Sequence, residues 1–209
     1  GRWVDAQEGR VVEQPGPLSP GDFYFWTNRG RTWNYHCFDC HASRVEKHYD
    51  AESDSYRTTV GSLTIDCEAC HGPSLRHDET RGQPGEPMHL VDLSALSPEQ
   101  SVEVCAQCHA AKEAVAAGYG PGKSFYDFSH LVLPDEPFFW PDGQPKVYLY
   151  PVVLHLMSPC YREGGLACTG CHDAHGSDLP VDLVAKKEGT GLCEDCHLEI
   201  AADPLSHTH

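Results

Sequence analysis

The pentapeptide C-x-x-C-H occurs five times in this chain, at Cys37-Phe38-Asp39-Cys40-His41, Cys67-Glu68-Ala69-Cys70-His71, Cys105-Ala106-Gln107-Cys108-His109, Cys168-Thr169-Gly170-Cys171-His172 and Cys193-Glu194-Asp195-Cys196-His197. The five copies use ten of the eleven cysteines. In a helical turn, residues i, i+3 and i+4 share a face, so two thiols and one imidazole point at the same place. That is the attachment pattern of c-type haem: two thioether positions followed by a proximal iron ligand. Random placement of the chain's own Cys and His predicts ~0.04 occurrences, so repetition by chance is ruled out. C-x-x-C pairs also hold zinc, but zinc does not require a histidine after every second cysteine. The expectation is five c-type haems, with His41, His71, His109, His172 and His197 as proximal ligands.

Five such cofactors leave about 42 residues for each, too few for a separate apolar core around every one. The porphyrins must supply much of the buried apolar surface. The expected fold is mainly irregular, with short α-helices and one or two small β-hairpins. It forms a single domain over residues 1–209, wrapped around a row of five haems. The 19 Gly and 16 Pro agree with a chain rich in turns. Folding without haem is not expected, because haem contacts offset a large part of the chain entropy.

The formal charge of −16, from 31 acidic and 15 basic residues, disfavours nucleic acid and anionic lipid as partners. The longest apolar stretch, Val147 to Met157, is too short to span a bilayer and contains Pro151 and His155, so no transmembrane segment is expected. The chain opens at Gly1 with no leader, and c-type haem is attached outside the bacterial cytoplasm. A mature, exported form, periplasmic or extracellular, is therefore expected.

Along the chain, residues 1–20 read as an extended arm with Pro15-Gly16-Pro17 near its end. Phe23 to Trp26, Trp33 and Tyr35 are candidates to pack on porphyrin. Val45 to Tyr49 and Tyr56 to Val60 flank a polar run and predict a hairpin. An exposed charged loop follows His77 as far as Pro87. Ser97-Pro98-Glu99-Gln100 predicts a helix start, with the helix running through the third motif to Ala114. Pro141-Asp142-Gly143, between aromatic runs, predicts a second hairpin. The motif starts lie 30, 38, 63 and 25 residues apart, which excludes a regular solenoid and brings the last two motifs close together. Residues 203–209 form a polar, histidine-bearing tail.

The residues around the motifs resemble multihaem cytochromes c of the cytochrome c-554-like group. The resemblance runs from Asn34-Tyr35-His36-Cys37 through Lys47-His48-Tyr49-Asp50, Cys67 to His77, Gly143-Gln144, Tyr161, Gly164-Gly165 and Cys168 to His175. It covers roughly residues 22–209. Some members of that group carry tetratricopeptide repeats, which are absent here. The resemblance implies distal iron ligands at His77, His130 and His175, together with His207 or His209. Two departures stand out. His36 occupies a usually apolar position, and Arg31 replaces an upstream histidine, so the ligand set of one haem is rearranged.

Nine histidines lie outside the proximal set, and five distal ligands are needed, so bis-histidine coordination throughout is expected. His175 follows His172 by three residues and is expected to serve a neighbouring haem rather than the same one. His36 and His155 stand behind the five main distal candidates, while His48 and His89 read as surface or packing residues. Met88 and Met157 are the two thioether sources. Cys160, the odd cysteine, reads first as a buried thiol acting as a small hydrophobe, with an intermolecular disulfide or an unusual haem ligand as the alternatives.

Irons held by two protein ligands pass electrons and bind no substrate. The expected role is electron transfer between a redox protein donor and acceptor. A sharper version joins copies of the chain head to tail into an extracellular filament through the arm and the tail. The alternative is a multihaem oxidoreductase in which one open-coordination haem acts on a small nitrogen or sulfur compound. No motif has its histidine replaced by lysine, which would have favoured that alternative.

Overall fold

A computed structural model describes residues 19–21, 25–28, 32–134, 139–144, 150–184, 191–194 and 196–203, with only the backbone given for Tyr35, His36, Gly191, Ile200 and Ala201. The N-terminal arm up to Leu18, Phe23, Tyr24, Arg31, His207, His209 and the side chain of His36 lie outside the described residues. The chain forms two compact units, residues 1–66 and 67–209. Among the described residues, regular structure is confined to short helices and three two-stranded antiparallel sheets. This is the largely irregular architecture the sequence predicts.

In the first unit a π-helical turn, Trp33–Cys37, runs directly into helix α1 (Phe38–His41). The predicted hairpin follows as two short ladders. Strand β1 (Ser43–Glu46) pairs with β4 (Thr59–Ser62) through Val45↔Val60, and β2 (Tyr49–Asp50) pairs with β3 (Ser55–Tyr56). The break between the ladders falls at His48, whose φ of 45° turns the strand. At the tip the Asp50 carboxylate accepts from the Glu52 and Ser53 amides, an Asx turn that closes the loop. Across β2 and β3 the Tyr49 and Tyr56 rings lie 4.9 Å apart. Ser43 anchors the base: its buried hydroxyl donates to the Thr64 carbonyl and accepts from the Asp66 amide. The Asn34 side chain donates to the Thr58 hydroxyl, tying the turn before the first motif to the hairpin.

The second unit begins with α2 (Cys67–His71), α3 (Leu75–Thr80) and α4 (Pro98–His109). Gly72, at φ 74°, ends α2, a left-handed position that glycine adopts without strain. Helix α4 starts where the sequence predicts. The Ser97 hydroxyl accepts from the Gln100 amide and the Gln100 side chain accepts from the Ser97 amide, a capping box with Pro98 at the first position. Its end differs from the expectation. Ala110 is extended, and β5 (Lys112–Ala114) pairs with β6 (Ser129–Leu131) instead of continuing the helix. Helical propensity at Ala110 to Ala114 is a weak preference, and strand pairing with a segment 17 residues away overrides it.

Val102, Ala106, Ala110, Phe125 and Val152 form the core of this unit, with Tyr119, Leu131, Leu156 and Tyr161 packed against it. They come from one face of α4, from the turn Phe125–Asp127 and from α5 (Val152–Met157). The Glu103 carboxylate accepts from the Phe125 amide and fixes that turn against α4. Helix α6 (Pro159–Arg162), the turn Cys168–Gly170, α7 (Gly191–Glu194) and α8 (Leu198–Ala202) complete the unit. At the expected second hairpin, Trp140 and Gly143 close the turn through Trp140 N–H to the Gln144 carbonyl and Gly143 N–H to the Trp140 carbonyl. Its arms, 135–138 and 145–149, lie outside the described residues. No helix among the described residues is long and apolar enough to cross a membrane.

Candidate haem centres

Each motif is built as a single helical turn, which brings its two cysteines and its histidine to one side. The second motif is α2 itself. The third is the last turn of α4, placed there by the helix that carries the core. The fourth closes through amides of Cys171 and His172 donating to the Cys168 carbonyl, and the fifth through amides of Cys196 and His197 donating to the Cys193 carbonyl. In the first, Cys40 and His41 lie in α1, whose Phe38 is buried with the Lys47 ammonium 4.4 Å from its ring centre. None of the eleven cysteines forms a disulfide. Among the described residues no group of three or more His, Cys, Asp or Glu is arranged to hold a metal ion.

The thiols of the second unit follow one another. Cys105 hydrogen-bonds Cys168, which raises the Cys105 thiol well above the ordinary range and lowers Cys168; burial raises Cys105 further, and Cys70 and Cys108 are close enough to add to it. Burial pushes the Cys171 thiol up, with Cys160, Cys196 and Cys193 adding to the effect. Burial likewise raises Cys70. The second motif thus neighbours the third, the third the fourth, and the fourth the fifth. The Gln107 amide, inside the third motif, donates to the Ala69 carbonyl, inside the second, at 2.8 Å.

The histidines divide by their hydrogen bonds. His71 Nδ1 lies 2.8 Å from the Val91 carbonyl, His172 Nδ1 2.9 Å from that of Val181, and His77 Nδ1 2.8 Å from that of Met88. A carbonyl only accepts, so Nδ1 carries the proton and Nε2 keeps a lone pair for a metal. This is the outer-shell contact that orients a ligating imidazole. His155 has the opposite arrangement, with Nε2 2.7 Å from the Leu166 carbonyl. His130 Nε2 pairs with Glu113 at 3.3 Å across β5 and β6. His48 and His89 pair with Glu46 and Glu86. The His175 and His71 rings are parallel neighbours, with centroids 6.0 Å apart and planes inclined by 2°.

Cys160 corrects one expectation. It is exposed on α6 rather than buried, because Pro159 starts that helix on the Ser158 cap and Tyr161, not Cys160, packs against the core. The sequence reading also missed the carbonyls of Val91, Met88 and Val181 and the Gln107 bridge. A backbone acceptor carries no residue-type signal, and a lone glutamine inside a motif looks like any helix former.

The site fits a porphyrin. Leu75, Met88, Val181, Val184 and Leu198 are large apolar side chains exposed next to the motifs or their histidine supports. A haem plane would cover such groups.

Residues 161–202, spanning the fourth and fifth motifs, match the family described as the doubled CXXCH motif. The chain is 24% identical over 173 residues to the multiheme cytochrome MtrA of Shewanella baltica (strain OS185), covering 80% of this chain and 38% of that protein. Its fold resembles the outer cell wall cytochrome OcwA with a TM-score of 0.55 at 21% identity, covering 79% of this chain and 44% of that one. The chain thus spans less than half the length of either relative. Repeated haem-attachment turns, imidazoles oriented for metal and these likenesses together support a multihaem c-type cytochrome.

Proposed function

We propose that the chain is an electron-transfer protein carrying five covalently attached c-type haems, one at each C-x-x-C-H motif, and that it works outside the cytoplasm. The observation that carries this reading is the unbroken succession of motif thiols from Cys70 through Cys105, Cys168 and Cys171 to Cys193 and Cys196. Cofactors anchored on neighbouring cysteines lie close enough to exchange electrons. Bound haem would supply a one-electron iron couple, held low where two imidazoles ligate it. The motif cysteines would hold it by thioethers, and His41, His71, His109, His172 and His197 would ligate the irons. Further imidazoles would come from His77, His130, His175 and the tail histidines His207 and His209. The acidic surface favours redox partners with a basic face, and raising salt slows exchange with them. The outer cell wall in the name of OcwA is in keeping with an exported location.

Intact mass and the alkaline pyridine spectrum of the purified protein test the haem number, with five expected. Electron paramagnetic resonance with a cyanide or nitrite titration tests the coordination. All irons are expected to be low-spin and indifferent to added ligand. One high-spin iron that takes up cyanide transfers the protein to the oxidoreductase reading, whose signal residues, Arg31 and the side chain of His36, lie outside the described residues. Copies joined head to tail through 1–20 and 203–209 would extend the same conduction. Electron microscopy of the loaded protein tests this, and particles that stay monomeric at high concentration remove it.

A further inference from the structure

We infer that His71 and His175 are the two axial ligands of one iron, that of the haem attached at Cys67 and Cys70. This rests on the multihaem reading above and adds a pairing that neither the motifs nor their spacing contain. The ring centroids stand 6.0 Å apart. Two metal–imidazole bonds of ~2.0 Å, with ~1.1 Å from each nitrogen to its ring centre, add up to about 6.2 Å, a separation that the observed gap matches. The planes are parallel to within 2°. On the His71 side, the bond from Nδ1 to the Val91 carbonyl fixes the tautomer that leaves Nε2 for the iron. On the His175 side, the Asp173 carboxylate accepts from the His175 amide and lies 3.8 Å from its Nδ1.

Packing does not explain the juxtaposition. The His175 side chain is 82% exposed, so lying next to His71 gives it almost no burial. What holds it there is the turn after the fourth motif. The Asp173 amide donates to the Asp182 carbonyl, the Gly176 amide donates to the Asp173 carbonyl, and His172 bridges to Leu183. The rival for this iron is His77, six residues after His71. Its Nδ1 is engaged by the Met88 carbonyl, and it is left to a different iron.

Two consequences follow from the pairing. The axial bond joins segments 104 residues apart and closes the second unit. His172 and His175, one turn apart, serve different irons, so the tetrapeptide His172-Asp173-Ala174-His175 links the centres of the second and fourth motifs directly.

Low-spin ferric iron between parallel imidazole planes gives a rhombic, three-line resonance, whereas perpendicular planes give one highly anisotropic line. The oxidised holoprotein is therefore expected to contain one iron equivalent of rhombic signal. In His175→Met that signal disappears, one equivalent of the red charge-transfer band of thioether-ligated haem appears, and one reduction potential rises, with the covalent haem count unchanged. In His77→Met the rhombic signal stays. Absence of the rhombic signal from the wild-type protein overturns the pairing even if the variant cannot be produced. So does its persistence in His175→Met, or its loss in His77→Met. A haem count lower than the number of motifs would instead count against the proposed function, leaving the pairing to be judged on its own signal.

Discussion

At His71, His77 and His172 a main-chain oxygen fixes the proton on Nδ1, while at His155 another fixes it on Nε2. Residues of one type therefore arrive at different chemistry through partners contributed by the backbone. Ser43 shows the same dependence in a structural role. Its hydroxyl is 2% exposed and serves both the Thr64 carbonyl and the Asp66 amide, just after the first motif. Removing one partner from a buried pair leaves the other groups desolvated and unpaired. Ser43→Ala is expected to cost ~1–3 kcal/mol, read as a lower thermal midpoint of the haem-loaded protein. An unchanged midpoint would mean that water replaces the hydroxyl at no cost.

Among the elements, the hairpin of the first unit carries a pH response of defined sign. The Ser53 hydroxyl first, and then the Glu52 and Ser53 amides, hold the Asp50 carboxyl below its ordinary value of 3.8. A carboxyl depressed in the folded state stabilises the tip fully above that ordinary value, and the contribution is lost as pH falls through the lower folded value. Protection of the Glu52 and Ser53 amides, taken against the intrinsic exchange rate at each pH, is expected at neutral pH and is expected to be lost as pH falls below the ordinary carboxyl value. In Asp50→Ala it is expected to be absent throughout. Protection in the native hairpin that does not change over this range would show that the carboxylate does not close the turn. Helix α4 marks the limit of local signals. Its start follows from Ser97, Pro98 and Gln100, whereas its end at His109 is set by the pairing of β5 with β6.

At the scale of the whole molecule, few apolar side chains among the described residues are buried. Among the described residues they are Phe38, Phe125, Phe139, four valines and four alanines, while Leu75, Met88, Val181, Val184, Leu198 and other large apolar groups are exposed. Such a core cannot offset the entropy of ordering the chain, and the net charge of −16 opposes compaction further. Protein made with the motif cysteines replaced by serine is expected to show no cooperative thermal transition and to bind hydrophobic dyes. A sharp transition in that protein would show that the polypeptide packs without its cofactors.

The cofactor class and the local shape of each centre were legible in the sequence, because C-x-x-C-H puts its three donors on one helical turn whatever surrounds it. The first hairpin and the start of α4 were legible for the same reason: alternation, turn residues and a capping box act within a few neighbours. The end of α4, the exposure of Cys160, the contact of Cys105 with Cys168 and the meeting of His71 with His175 were not. Each joins segments far apart in the chain or depends on a backbone carbonyl, and neither distance through space nor a main-chain acceptor is written in residue types. Which donors exist is a property of the sequence; which of them meet, and with their lone pairs facing which way, is settled only when the turns pack.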